Sequence, residues 1–234
     1  MALPLYLAMT EAEFRSADTL PTHPAWMACH FSCYGTGLSN LPKQLPAGAM
    51  VILNDRTPVY GHDPELIVQQ LSDLVERHRV DSVLLDFQRP DCNRTADIAN
   101  AVVAALSCPV GVTETYATKM DCPVFLAPPP LYKPLGEYLS VWRDREIWME
   151  AALDSQMVTV TAEGSQFSPA LPAIPEEPSF PEEALFCRYN TKVYDDRAEF
   201  NLFRTQETLD AMVQEAERLG VRRIIGLYQE LGKI

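Results

Sequence analysis

Short apolar runs recur along this chain, several of them separated by one amphipathic helix apiece, and this alternation constrains the fold more than any single motif. Leu3–Met9, Trp26–Cys33, Met50–Asn54, Val80–Phe87, Pro109–Thr113 and Pro123–Ala127 read as strands. Asp63-Pro64 opens a helix between the third and fourth runs, Asp as the cap and Pro in the first turn. Its inner stripe is Ile67, Leu71, Leu74, Val75 and His78. Asn93 and Thr95 offer a cap for the next helix, whose stripe is Ile98, Ala101, Val102 and Ala105. Strand and helix in short alternating steps require parallel pairing with right-handed crossovers. The expected fold class is α/β, a (β/α)8 TIM-like barrel with seven or eight strands available to line it. At 234 residues the chain is near the lower limit for such a barrel, usually about 250 residues, so some helices must be short or missing. A doubly wound open sheet is the alternative, but the Gly-rich phosphate turn of its dinucleotide-binding form is missing.

The second half is less regular. Glu146–Leu153 and Gln156–Thr161 are expected to form a hairpin across Asp154-Ser155. Ser168 to Pro181 holds five of the 19 prolines, which excludes a helix or a central strand. It reads as a loop inside a single domain spanning 1–234, with a domain linker as the alternative, because strand-like sequence resumes at ALFCRYN. Gln206–Leu219 is an amphipathic helix with Leu209, Met212, Val213, Ala216 and Leu219 on one face, ended by Gly220. Arg223–Tyr228 is then the closing strand.

A formal net charge of -13 repels phosphate backbones and anionic lipid, which argues against nucleic acid and membrane surfaces as partners. The N-terminus has no basic region before its apolar stretch, and no apolar run approaches the ~20 residues that span a bilayer. A cytoplasmic location is therefore expected. None of the six cysteines forms a CxxC pair; Cys29 and Cys33 would share a face of one strand, and no His/Cys spacing suits a metal. No cofactor is expected.

In parallel α/β folds chemistry sits just beyond the carboxyl ends of the strands. Those ends read Asn54-Asp55-Arg56, Asp86-Phe87-Gln88-Arg89 and Glu114-Thr115-Tyr116, each a polar cluster after an apolar run. Side chains alternate along a strand, so Ser82, Leu84, Asp86 and Gln88 share one face, and Val83, Leu85 and Phe87 the other. The second set is apolar and should pack under helices; the first should point into the barrel, with Asp86 and Gln88 at its mouth. A buried aspartate needs partners, and Arg56, His30, Tyr116 and Tyr189 are the candidates. His30, alone among apolar residues, reads as a core histidine; His23, His62 and His78 read as loop or surface residues. Trp26, Trp142 and Trp148 could stack on sugar rings, although core packing is the commoner fate of tryptophan.

Asp81-Ser82-Val83-Leu84-Leu85-Asp86-Phe87-Gln88 resembles the fourth-strand signature D-G-x-D-x-D-x-E of chitinase-type (family-18) glycoside hydrolases. Asp81 matches the first Asp, Asp86 the last, and Phe87 the usual aromatic. The segment Gln206–Leu231 is similar to that family's closing helix and strand, which lead into a polar residue at the mouth, here Gln229 or Glu230. The resemblance implies a substrate-assisted mechanism, in which the Glu protonates the leaving oxygen and the neighbouring Asp orients the substrate's N-acetyl group. Here the Glu is Gln88, which holds no titrating proton, and the middle Asp is Leu84. Three readings follow. The first is a non-catalytic or weakly active homologue that binds a small-molecule or oligosaccharide ligand through Asp86, Gln88, Asp55, Arg56, Tyr116, Tyr189 and Glu230. The second is an active glycosidase using Asp86 and Glu114 as a carboxylate pair. The third is an interaction or scaffold protein whose mouth is plugged by the Pro-rich loop.

Overall fold

The computed structural model describes residues 3–89, 93–170 and 178–232. In chain order the elements are β1 (Leu5–Met9), α1 (Glu11–Ser16), β2 (Pro24–Phe31), β3 (Leu38–Ser39), β4 (Met50–Asn54), α2 (Pro64–His78), β5 (Ser82–Asp86) and α3 (Asn93–Ala105). Next come β6 (Val110–Thr113), α4 (Glu114–Ala117), β7 (Val124–Leu126), α5 (Leu135–Ser140), β8 (Ile147–Ala151), β9 (Ser155–Thr161) and β10 (Gly164–Pro169). The chain closes with β11 (Phe180–Glu182), β12 (Cys187–Val193), β13 (Arg197–Phe203), α6 (Gln206–Arg218), β14 (Val221–Leu227) and α7 (Tyr228–Leu231).

Eight parallel strands close on themselves in the order β1-β14-β8-β7-β6-β5-β4-β2, the ring completed by β1 against β2. This is the TIM-like barrel expected. The described residues supply three long helices, α2, α3 and α6, and four of six residues or fewer. The long helices begin as their sequences dictate: Asp63 accepts from Glu65 N with Pro64 in the first turn, and Thr205 caps α6 through Thr208. Gly220 adopts φ +94, the left-handed conformation that stops α6 and turns the chain into β14.

Alternation along each strand divides the core into two layers. Tyr6, Met50, Ile52, Leu84, Phe125 and Trp148 fill the barrel interior. Val83, Leu85 and Phe87 face outward with Ile67, Leu71, Ile98 and Val102 of α2 and α3. Burying an aliphatic or aromatic side chain of this kind stabilises by about 1.5–3 kcal/mol, so the two layers dominate the fold energy. The indole of Trp148 takes so much of the interior that β6 must give way: a Cβ on Gly111 would lie 2.3 Å from Trp148 Cε3. The barrel floor is polar. Tyr6 Oη donates to Asp81 Oδ2 at 2.6 Å, Arg223 Nη2 donates to the same oxygen at 2.9 Å, and Trp148 Nε1 donates to Glu146 Oε1 at 2.7 Å.

Three expectations are corrected. The hairpin across Asp154-Ser155 does not form. β8, buried along most of its length, is a barrel strand between β7 and β14, whereas β9 enters a separate antiparallel sheet of order β10-β9-β13-β12-β11. The second strand ends at Phe31, so Cys29 is buried in β2 while Cys33 lies beyond it, exposed. His62 lies in a loop, between β4 and α2, but it is buried there rather than at the surface, its Nε2 3.0 Å from Ser32 O and its ring edge-on to Phe31. Among the described residues the Pro-rich stretch supplies the last two residues of edge strand β10 and the first two of edge strand β11, where proline is tolerated; its part from 171 to 177 lies outside the described residues, as does Cys92. Among the described residues no helix is long and apolar enough to cross a membrane, and no three His, Cys, Asp or Glu side chains are grouped to hold a metal.

Candidate functional site at the barrel mouth

The carboxyl ends of the barrel strands carry the polar side chains expected of them. His30, Asn54 and Asp86 lie side by side in the register of β2, β4 and β5. A cavity of about 80 Å3 opens at this level, walled by Met27, Ile52, Leu84, Phe125, Ile225 and Leu227, with Asn54, Asp86 and Glu150 as its polar members.

Asp86 points inward, as the alternation of β5 demands. Its hydrogen bond comes from the Gln88 side-chain amide. Burial pushes the Asp86 carboxyl above its ordinary value; the Gln88 amide partly offsets this, and the charge of Asp55 adds to it. The four partners expected for Asp86 are engaged elsewhere. Arg56 Nη2 sits 3.3 Å from His30 Nδ1, which is also 2.9 Å from Ala28 O. Tyr116 donates its hydroxyl to Arg89 O. Tyr189 lies in the second sheet, its ring between those of Phe180 and Phe200.

Asp55 is buried with both oxygens occupied: Oδ1 accepts from Gln88 N at 3.0 Å and Oδ2 from Arg89 N at 2.9 Å. It therefore holds the turn after β5 and, through it, the placement of Gln88. Glu230 is similarly used, its Oε1 accepting from Leu153 N. Glu114 does not extend β6; that strand ends at Thr113, and Glu114 begins α4 with its side chain exposed. Its charge bears on Tyr138 of α5, where, after burial, it helps to raise the hydroxyl's pKa.

The carboxylate that faces Asp86 through the cavity is Glu150 of β8, a residue the sequence reading passed over. Burial, then the charges of Asp86, Asp154 and Glu230, raise its pKa to about 7. Each of two carboxyl groups at one cavity disfavours the charge of the other, so Glu150 still holds part of its proton near neutral pH. The signal was available: Trp148 points into the barrel, and alternation places Glu150 on the same side. Arg204 was also missed. It is buried between barrel and second sheet, donating from Nη2 to Pro129 O at 2.7 Å, with Nη1 3.8 Å from Asp154 Oδ2. The tryptophans are not at the mouth: Trp148 fills the barrel and Trp26 packs in the outer core.

No protein-family model matches the sequence, and no curated protein matches it. Solved structures do match in fold. The chain superimposes on the spore cortex-lytic enzyme SleL of Bacillus cereus with TM-score 0.60 at 9% identity, over 96% of this chain and 70% of that one. A family-18 N-acetylglucosaminidase from Paenibacillus barengoltzii gives TM-score 0.60 at 10% identity, over 98% and 95% of the two chains. A mutant family-18 chitinase from Cycas revoluta, in complex with (GlcNAc)4, gives 0.59 at 10% identity, over 96% and 94%. At such identities the likeness is one of fold: a chitinase-like, family-18 type of barrel.

Proposed function

We propose that this chain binds a saccharide at the C-terminal mouth of its barrel and does not hydrolyse it by the family-18 route, residues 1–234 acting as one domain. The observation that carries the reading is Gln88. The strand-four resemblance aligns it with the family's acid, and its amide is bonded to Asp86. An amide donates and accepts hydrogen bonds but releases no proton to a leaving oxygen. Support for a sugar ligand comes from the strand-four resemblance, from the shared fold, and from the (GlcNAc)4 held by the Cycas revoluta chitinase of that fold. Of the expected binding residues, Asp55, Tyr116 and Glu230 are committed to backbone groups, Arg56 turns to His30 and Tyr189 lies in the second sheet, which leaves Asp86 and Gln88 as the contacts, with Glu150 beside them. Glu114 is a poor second carboxylate for a relocated acid/base pair, because it is exposed and its charge bears on Tyr138.

A second reading, a scaffold without a sugar site, is favoured by the size of the mouth cavity. About 80 Å3 is well below the ~300–1,000 Å3 typical of small-molecule pockets. Under the saccharide reading the ring rests over the opening and only a substituent enters. A thermal-shift series on wild type and Asp86→Ala, with N-acetylglucosamine oligomers, other oligosaccharides and muropeptides, separates the two. Stabilisation of wild type alone, without release of shorter sugars, is the expected result. No shift with any sugar refutes the binding reading in favour of the scaffold.

A further inference from the structure

We infer that β10 is a docking edge for a second copy of this chain: two β10 strands pair antiparallel about a two-fold axis and join the second sheets of both copies into one. The inference is independent of the saccharide reading.

The second sheet has two edges, β10 and β11. β11 is three residues long, with Pro181 at its centre and Glu182 at its end, features that discourage a further strand. β10 runs six residues, Gly164–Pro169, in unbroken register with β9. Every one of those residues is exposed, and no strand among the described residues pairs with its other side. Free edges are ordinarily guarded by charge, bulges or cover. β10 has no charged side chain and no bulge, and β9 behind it has no charged side chain either. In a chain of net charge -13 this is a strip on which two copies meet without like charges opposed across the seam.

The parity of the ladder shows which backbone groups are free. Ala170 N donates to Ser155 O, one step beyond the pairing of Pro169 with Gln156. Bonded and non-bonded pairs alternate in an antiparallel ladder. Gly164, Gln166 and Ser168 therefore turn their backbone groups to β9, and Ser165, Phe167 and Pro169 turn theirs outward. The N–H that Pro169 lacks is an outward one, so the proline leaves the pairing with β9 whole.

The outward set complements itself. With Phe167 opposite Phe167 of the second copy, those two residues exchange a pair of hydrogen bonds, and each Ser165 N–H meets the Pro169 carbonyl across the axis. The Phe167 ring is half exposed and lies 4.4 Å from that of Tyr132. Residues directly opposite lie on one face, so the two Phe167 rings become neighbours and the seam buries apolar surface as well as backbone. A strand from another protein would find the same backbone groups. A second copy matches the edge without charge on either side, and the two-fold closes the assembly with neither β10 left open.

The test is sedimentation equilibrium of the whole chain from about 10 μM to about 1 mM, a range set by the weakness of so short a seam. Amide hydrogen exchange is read by NMR at both ends of that range. Ser165→Pro removes an outward N–H and leaves the β9 pairing intact; Phe167→Lys opposes like charges across the axis. Wild type is expected to dimerise, with the Ser165 and Phe167 amides protected only at the high concentration and those of Gln166 and Ser168 protected throughout. Ser165→Pro should weaken association at least about tenfold with an unaltered Tm. Should it fail to fold, Phe167→Lys and the wild-type exchange pattern decide. Wild type that stays monomeric throughout overturns the inference, in favour of an edge that is unused or taken by another protein's strand. A dimer whose Ser165 and Phe167 amides exchange as in the monomer also overturns it, as does one equally tight in the folded variants.

Discussion

Replacing Glu150 by glutamine removes a carboxyl group that burial and three neighbouring carboxylates hold at a pKa of about 7, against an ordinary value of 4.5. Between those two pH values the folded chain keeps a proton that the unfolded chain has released. The native state thus binds more protons than the unfolded one, and this group's contribution to stability falls as pH rises through the window. At 1.36 kcal/mol per pKa unit the interval corresponds to roughly 3 kcal/mol, an upper bound, since a partly hydrated carboxylate at the mouth recovers some solvation. Glutamine reproduces the shape and hydrogen-bonding character of the protonated acid without its titration. Wild type and Glu150→Gln should therefore have similar stability at pH 4.5, and the variant should exceed wild type by about 1–3 kcal/mol at pH 8. Urea denaturation at the two pH values measures the difference directly. In a chain of this size each kcal/mol corresponds to roughly 2–4 °C in Tm, so thermal melts give a second reading. A variant no more stable than wild type at pH 8 would refute the placement of Glu150 against Asp86 in a poorly hydrated cavity.

Two further outcomes follow from the barrel interior. Gly111→Ala sets a methyl group against the Trp148 ring at 2.3 Å, and overpacking of this kind costs about 1–3 kcal/mol; Trp148→Leu in the same chain should recover part of the lost Tm, and a Gly111→Ala protein as stable as wild type would contradict the packing. Asp81, bonded to Tyr6 and Arg223, has its pKa held below the ordinary carboxylate value by those bonds, although burial alone would raise it. Its contribution is present above the unfolded-state pKa and is lost as pH falls through the lowered one, so Asp81→Asn should cost about 1 kcal/mol at pH 7 and progressively less as the pH falls into the acid range. A loss that persists undiminished in acid would show that the carboxylate's charge is irrelevant.

The barrel was legible because its physics is local. Parallel strands buried on both faces read as apolar runs, and the parity of β5 alone assigns Asp86 to the mouth and Val83, Leu85 and Phe87 to the layer under α2 and α3. The second sheet was not legible. β9 begins four residues after β8 ends, and two runs so close suggest a hairpin; only the long-range pairing of β8 with β14 separates them. That misreading hid Glu150, because a hairpin arm gives no reason to ask which residues face a barrel axis. Glu114 failed for a different reason: β6 is only four residues long and turns directly into α4, so a strand's parity no longer governs the side chain. The hydrogen-bond commitments of Asp55, Tyr116 and Glu230 lie beyond sequence reasoning, since each partner is a backbone atom brought near by the closed barrel.

The second sheet leaves the barrel and returns to it at one place. Ser155, where it begins, is paired with Phe203, where it ends, and Arg204 N donates to Asp154 O beside them. The two cut points are thus neighbours, and the barrel seam between β8 and β14 is sewn without any strand from the excursion. Such an arrangement makes the segment exchangeable: a short turn, or a different sheet, could join Asp154 to Arg204 without reopening the ring. The barrel can in that way keep its architecture while the structure beside its mouth is rewritten, so change in what the protein recognises need not pass through an unfolded intermediate design.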